Sequence, residues 1–498
     1  MSQINVNKLT FCYEGSYDTI FEDVSFRIDT DWKLGFVAGN GRGKTTFLNL
    51  LRGKYEYKGT IGASVKFDYF PFEITDGSKD VLSVIEEIYS DCELWKICRE
   101  LTLLSVDSGV LYRPYETLSN GEQTKVMLAV LFSRDNNFLL IDEPTNHLDA
   151  EARKTVSAYL KKKKGFILVS HDRVFLDACI DHVLVINRAN IEVVQGNFSS
   201  WWENKQRRDS HELAENERLK KDIGKLKEAA RQARQWGDKV ESTKLGKKAG
   251  QNPKHIDNRA YIGEKSRRMQ MRRKNLEKRE TRAIEEKSTL LKNIEKTEEL
   301  KLFPLRHHKD VLVRLENVGL SYGAEAHVIE GLHFEIRRGE RVILQGRNGC
   351  GKTSILRAIL SAAAPLRVTG SIETASGLII SYVPQDTAGL CGNLSDYAKA
   401  YEIDETLFKT LLRKMDFTRV QFEKDMVEYS AGQKKKVLLA RSLCERAHLY
   451  VWDEPLNFID VFSRMQIEEL IRKYNPTMLM VEHDRTFAER TDARTITL

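Results

Sequence analysis

The sequence predicts an α/β protein in which two tandem nucleotide-binding domains are joined by a long α-helical hairpin linker. Three observations carry this. A glycine-rich loop ending in Lys-Thr occurs twice, as Ala38 to Thr45 and as Gly346 to Thr353. The motifs around it also recur, at an offset of 308 to 312 residues: Lys44 and Lys352, Ser119 and Ser430, Glu143 and Glu454, His171 and His483. One offset shared by independent motifs means a duplicated domain. Between the copies lies a highly charged, proline-poor segment. At 498 residues the chain is too long for a single core. The expected domains are residues 1–202, a linker over 203–300 with a basic tip at about 241–263, and residues 301–498.

In the first domain a strand-like run, Lys33 to Val37, precedes the loop and a helical run, Thr46 to Arg52, follows it. That context is what a phosphate loop requires. The short apolar runs Phe138 to Ile141 and Phe166 to Val169 read as buried parallel strands. Arg341 to Leu344, Leu449 to Trp452 and Met478 to Val481 repeat the pattern in the second domain. In the linker, Glu203 to Val240 is helical in type, with sparse apolar positions at Leu213, Leu219, Ile223 and Leu226. Gly237, Gly246, Gly250, Pro253 and Gly263 are expected to break it before a second helical run, Glu264 to Leu300. A helix of about 36 residues spans roughly 54 Å, so the hairpin is expected to project beyond a domain.

The formal net charge is +7. Residues 203–300 hold 28 Lys/Arg against 18 Asp/Glu, a surplus of ten, so the rest of the chain is slightly acidic. Arg231 to Lys274 alone holds 14 against 4. Arg267, Arg268, Arg272 and Arg273 fall on one face of a helix. Positive charge concentrated at a tip suits RNA phosphates better than a merely solvated helix. No apolar stretch approaches the roughly 18 to 20 residues that cross a bilayer, and the amino terminus lacks a signal-peptide pattern. Seven cysteines without a CxxC pair read as buried free thiols, and a cytoplasmic protein is expected.

Glycine-rich loops leave backbone N–H groups free to surround phosphate oxygens. The residues expected against ATP are Asn40, Gly41, Gly43, Lys44, Thr45 and Thr46 in the first copy. Asn348, Gly349, Gly351, Lys352, Thr353 and Ser354 are their counterparts in the second. Lys44 and Lys352 should reach the terminal phosphates, and Thr45 and Thr353 should offer a hydroxyl to Mg²⁺. Asp142 and Asp453 follow apolar strands and should hold the metal. Glu143 and Glu454 should act as general bases on the attacking water. His171 and His483 lie just past the next strand, in reach of the γ-phosphate.

The Ser-x-Gly-x-Gln segment beside these motifs resembles the signature of the ATP-binding cassette (ABC) superfamily. The resemblance implies two composite sites. Ser430 and Gly432 would cap the ATP on Lys44, and Ser119 and Gly121 the ATP on Lys352. Tyr13 and Tyr322 occupy the family's adenine-stacking position, and Gln385 its metal-binding glutamine loop. Phe72 replaces that glutamine in the first copy, which implies altered metal binding there and unequal hydrolysis at the two sites. Ala38 replaces a loop glycine, and Gln433 stands where the first signature has Glu122.

Two cassettes, a charged helical linker and no membrane span resemble the ABC-F family. Asp142 to Asp149 matches it closely, whereas Asp453 to Asp460 departs at Leu456 and Phe458. The linker segments Trp236 to Lys244 and Arg259 to Lys265 resemble Lsa/Vga-type antibiotic-resistance members. The resemblance implies a monomer bound at the E site of the 70S ribosome, against 23S rRNA and P-site tRNA. It further implies displacement of lincosamides, streptogramin A compounds and pleuromutilins. Two alternatives share the cassette motifs: a housekeeping ABC-F translation factor, and the soluble ATPase subunit of an exporter.

Overall fold

A computed structural model describes residues 2–498 except 14–18, 40–41, 90–92, 135–136, 146–147, 187–190, 246–263, 265–266, 269, 273, 280, 283–299, 323–325, 348 and 361–365. Each half builds the same two sheets. In the first, β1 (Gln3–Cys12) pairs antiparallel with β2 (Thr19–Asp29) and with β4 (Lys58–Gly62). The main sheet has the order β5-β6-β7-β3-β8-β9, formed by β3 (Lys33–Val37), β5 (Lys66–Phe70), β6 (Asn137–Asp142), β7 (Phe166–Val169), β8 (His182–Ile186) and β9 (Ile191–Gln195). Only β9 runs antiparallel within it. Strands covered on both faces read as unbroken apolar runs, and all four residues of β7 are buried.

The second half repeats this. The antiparallel sheet joins β10 (Val311–Tyr322), β11 (Ala326–Arg337) and β13 (Leu366–Thr374). The parallel sheet joins β12 (Arg341–Gln345), β14 (Ile380–Val383), β15 (Leu449–Asp453), β16 (Met478–Val481) and β17 (Arg494–Thr497), in the order β14-β15-β16-β12-β17. The anticipated strands are all present, and β7 and β16 have the anticipated ends.

The order explains the site. β3 lies beside β7, and β7 beside β6, so three loops at the carboxyl ends of these strands meet at one edge. Crevices at such edges are where open α/β sheets bind ligands. These loops carry the phosphate loop, His171 and the Asp142-Glu143 pair. β12, β16 and β15 do the same in the second half.

The linker departs from expectation at its first helix. That helix runs unbroken from Phe198 to Leu245, 48 residues, straight through Gly237. A helical glycine costs only about 1 kcal/mol relative to alanine, too little to stop a helix flanked by Arg, Lys, Glu and Ala. In the second run the described residues between Glu264 and Arg282 are helical, and Arg267, Arg268 and Arg272 are exposed on it. Arg273 and most of the tip lie outside the described residues. The described residues between 200 and 282 belong to one compact unit, and both cassettes fall in another.

The cysteines also correct the sequence reading. The six described are free, but only Cys179 is buried, and Cys12 and Cys391 are exposed. A cysteine count reports redox compartment, not depth.

Candidate nucleotide sites

Each phosphate loop ends in a glycine that only glycine accommodates. Gly43 and Gly351 cap their helices in the left-handed region, at φ 86° and 94°. A β-carbon on Gly43 would sit 2.5 Å from Ile20. Neither helix, Lys44–Leu51 or Lys352–Ile359, has a side-chain cap, so its first N–H groups are left for an anion. Lys44 Nζ donates to Ala38 O at 2.9 Å, and Lys352 Nζ to Gly346 O at 2.9 Å. Ala38 is thus tolerated because its contribution is a carbonyl. Thr46 and Ser354 bind the hydroxyls of Tyr13 (2.7 Å) and Tyr322 (2.9 Å). Both tyrosines are more than a third exposed, and the Tyr13 ring also packs edge-on against Phe11 and Tyr55. Asn40, Gly41 and Asn348 lie outside the described residues.

The strand ends bring the carboxylates to these loops. In the first cassette Asp142 accepts from Thr45 Oγ1 at 3.0 Å and from the Tyr69 hydroxyl at 3.0 Å. Tyr69 is the site residue to which the sequence assigned no role. Phe72 turns away and packs edge-on against Tyr89. His171 Nε2 lies 3.1 Å from Glu143 Oε1. In the second cassette both Asp453 oxygens are buried, with the Thr353 side chain as their hydrogen-bonding neighbour. Gln385 and Asn457 each donate to Glu454 Oε2 at 2.7 Å. His483 stands 3.9 Å from Glu454. Both glutamates adopt positive φ, 52° and 46°, a strained conformation that aims a carboxylate out of the strand direction.

Burial dominates the electrostatics. It raises Asp142, pushes Glu143 up to about 8 with help from Asp142, and pushes Asp453 up to about 6. It holds His483 down to about 4 and His171 well below its ordinary value, each reinforced by a nearby lysine. Both imidazoles are therefore neutral at pH 7 and able to accept or donate one hydrogen bond at each nitrogen.

The signature serines are helix caps. Ser119 caps the helix Asn120–Ser133, and Glu122 returns a bond to its backbone N–H. Ser430 and Gln433 repeat this on the helix Ala431–Cys444. Glutamine replaces glutamate at no loss, because the capping bond needs only an acceptor.

The cavity at the second site draws on both cassettes, through residues other than the signature Ser119 and Gly121 themselves. A cavity of about 490 Å³ is lined by Tyr322, Lys352, Gln385, Glu454 and His483 together with Asn120, Leu148 and Arg153 of the first cassette. Asn120 sits between Ser119 and Gly121. At the first site, the groups of the second cassette that act on Lys44 and His171 are Asp460, Arg464 and Lys436. Ser430 is exposed and Gly432 buried, and no described contact ties either to that site.

Arg153 and Arg464 were missed in the sequence. Each binds the loop after its own strand-end glutamate, through Leu148 O (3.0 Å) and Ile459 O (2.9 Å) respectively. Each also bears on the histidine of the other cassette. They share the 311-residue offset of the other pairs, which is the signal that could have found them.

A family model described as "ABC transporter" matches residues 21–146 and 329–457, just over half of the chain. The chain belongs to the ABC transporter family. It is 29% identical over 494 residues to "Ribosome protection protein VmlR" of Bacillus subtilis (strain 168), covering 96% of this chain and 84% of that one. It is 25% identical to "Energy-dependent translational throttle protein EttA" of Haemophilus influenzae, over 95% of this chain and 87% of that one. A solved complex of archaeal ribosomal stalk protein aP1 and ribosome recycling factor aABCE1 shares the fold. Its TM-score is 0.60 at 18% identity, over 98% of this chain and 87% of that one. The chain is an ABC-F ATPase with two ATP-binding cassettes. Among the described residues of this ABC-F protein, no helix is long and apolar enough to cross a membrane.

Proposed function

We propose that this ABC-F ATPase binds the E site of the 70S ribosome with ATP clamped between its cassettes. Its linker then displaces lincosamides, streptogramin A compounds and pleuromutilins from the large subunit. The observation that carries the reading is the linker, where residues 203–300 hold the whole positive surplus of the chain, concentrated between Arg231 and Lys274. Likeness over nearly the full chain to a protein named for ribosome protection supports it. The partners would be 23S rRNA and P-site tRNA, and the protein would be cytoplasmic.

The residues fit ATP and Mg²⁺. Uncapped helix starts behind Gly43 and Gly351 suit phosphates, and Lys44 and Lys352 stand beside them. The buried Asp453 carboxylate with Thr353 and the Thr45–Asp142 pair suit a hard cation, and Gln385 would complete the second set. Mg²⁺ bound there neutralises charge on the phosphate oxygens. Tyr13 and Tyr322 stack on adenine. Glu143 and Glu454 would orient the attacking water and take its proton, Glu143 once a cation at Asp142 offsets the charge that raises it, while neutral His171 and His483 hydrogen-bond the γ-phosphate. Hydrolysis releases the clamp.

Cosedimentation tests the target. Glu143→Gln combined with Glu454→Gln should pellet with 70S ribosomes in ATP, because closure survives and reopening does not. Recovery of the double variant in the soluble fraction would sink the assignment. Replacing residues 242–262 with a short Gly-Ser turn should return a sensitive host to its unprotected inhibitory concentrations while ribosome-free ATPase persists. The likeness to EttA supports a second reading, a factor that regulates translation. Unchanged drug susceptibility in a host expressing the intact chain would favour it.

A further inference from the structure

The second cassette buries a lysine that the first does not have. Lys435 is 1% exposed on the signature helix Ala431–Cys444, and Thr124 stands at the matching place. Its Nζ donates to Pro384 O at 2.9 Å and to Asp453 O at 3.1 Å, with Gln385 O at 3.5 Å. An ammonium carries three donors, and here three backbone carbonyls surround it. A buried charge persists only when satisfied in this way. Two of the carbonyls belong to the turn carrying Gln385, and the third closes the strand carrying Asp453. The ammonium therefore bolts one to the other.

The bolt has a visible consequence. Gln385 Nε2 is held 2.7 Å from Glu454 Oε2, at the residue next to Asp453. The first cassette lacks both parts. Thr124 turns its hydroxyl back onto Asn120 O at 2.9 Å. Phe72 replaces the glutamine, and a cavity of about 440 Å³ opens among Thr45, Pro71, Thr124, Asp142 and Glu143.

We infer that Lys435 is a positioning residue for hydrolysis at the second site. It never touches ATP. It fixes the Gln385 turn against the end of β15, so that Gln385 restrains Glu454 in one orientation. The first site has no such device, and its glutamate is oriented without it.

The test uses the full chain carrying Glu143→Gln, so that only the second site retains its base. The rate constant of single-turnover hydrolysis is measured by rapid quench against ATP concentration. Lys435→Met keeps the stem and removes the donors. It should lower the rate constant about five- to ten-fold, with half-saturating ATP within about two-fold, since a lost orientation acts on the step and not on binding. Because Lys435 acts through Gln385, Lys435→Met added to Gln385→Ala should slow that variant no further. An unchanged rate constant in Lys435→Met overturns the inference, as does a full additional loss on top of Gln385→Ala. If the methionine variant does not fold, Lys435→Gln, whose amide is one bond too short to span the carbonyls, carries the same two readings.

Discussion

The two cassettes repeat one backbone but treat the same pair of carboxylates differently. In the first, Asp142 is held by the Tyr69 hydroxyl and Thr45, and Glu143 has His171 at its side. In the second, buried Asp453 has Thr353 beside it but no tyrosine bond to match that of Tyr69, and Glu454 is gripped by Gln385 and Asn457. The metal-side carboxylate is thus held by one more bond in the first copy, and the water-side carboxylate is gripped in the second. Duplication preserved where the groups stand and let their restraint diverge, and restraint is what sets the rate of a positioned reaction.

The largest effect should come from the proposed bases taken singly. Glu454→Gln should lower steady-state kcat about 100-fold or more, and Glu143→Gln only about 10-fold, because the restrained glutamate is the better placed. Equal losses would abolish the distinction between the sites.

Acid should act next, on stability. Burial holds His483 down to about 4, against 6.5 when unfolded. A lowered folded value means that the unfolded chain binds the proton first, so stability falls as pH drops from about 6.5 towards 4. At pH 5 the loss from this group is about 2 kcal/mol. Asp453, raised to about 6, pulls the other way, since its folded state takes the proton first. Comparing His483→Gln with the parent chain separates the two. The variant should lose less Tm than the parent between pH 7 and pH 5, and parallel losses would show that His483 does not titrate as placed.

How much of this was legible in the sequence follows from what each feature depends on. The strands and phosphate loops were legible because their signals are local: an apolar run of four residues, a glycine forced to positive φ, a lysine after it. β7 and β16 carry their whole signal in Phe166 to Val169 and Met478 to Val481. Lys435 was not legible. A lysine in a charged-looking helix reads as solvated, and only the fold shows three carbonyls converging on it. Arg153 and Arg464 failed for a related reason, since each works on residues from the other half of the chain. The break assigned to Gly237 failed because one residue's propensity was weighed without the helix on both sides of it.

A smaller expected effect tests the glutamine loop itself. Gln385→Ala should lower kcat about 10-fold and raise the Mg²⁺ concentration needed for half-activity, whereas Phe72→Ala should change neither by more than about two-fold. Gln385 touches Glu454, whereas Phe72 packs edge-on against Tyr89. A larger effect at Phe72 would mean that its ring, not the lost amide, governs the first site.

The smallest effect concerns the exposed tyrosines, where the cassettes are expected to agree. Each ring is proposed to stack on adenine, and each hydroxyl binds the residue after the Lys-Thr pair: Tyr13 to Thr46 at 2.7 Å, Tyr322 to Ser354 at 2.9 Å. Tyr→Phe keeps the ring and removes one half-exposed hydrogen bond, worth about 0.5 to 1 kcal/mol, so KM for ATP should rise by no more than about five-fold. Tyr→Ala removes the stacking surface as well and should raise it further. The two positions should respond alike, because each hydroxyl is anchored to the same place on its phosphate-loop helix. If Tyr13→Ala and Tyr322→Ala differed by an order of magnitude in KM, the asymmetry would reach the base as well as the phosphates. The cassettes would then differ in how they bind ATP, and not only in how they cleave it.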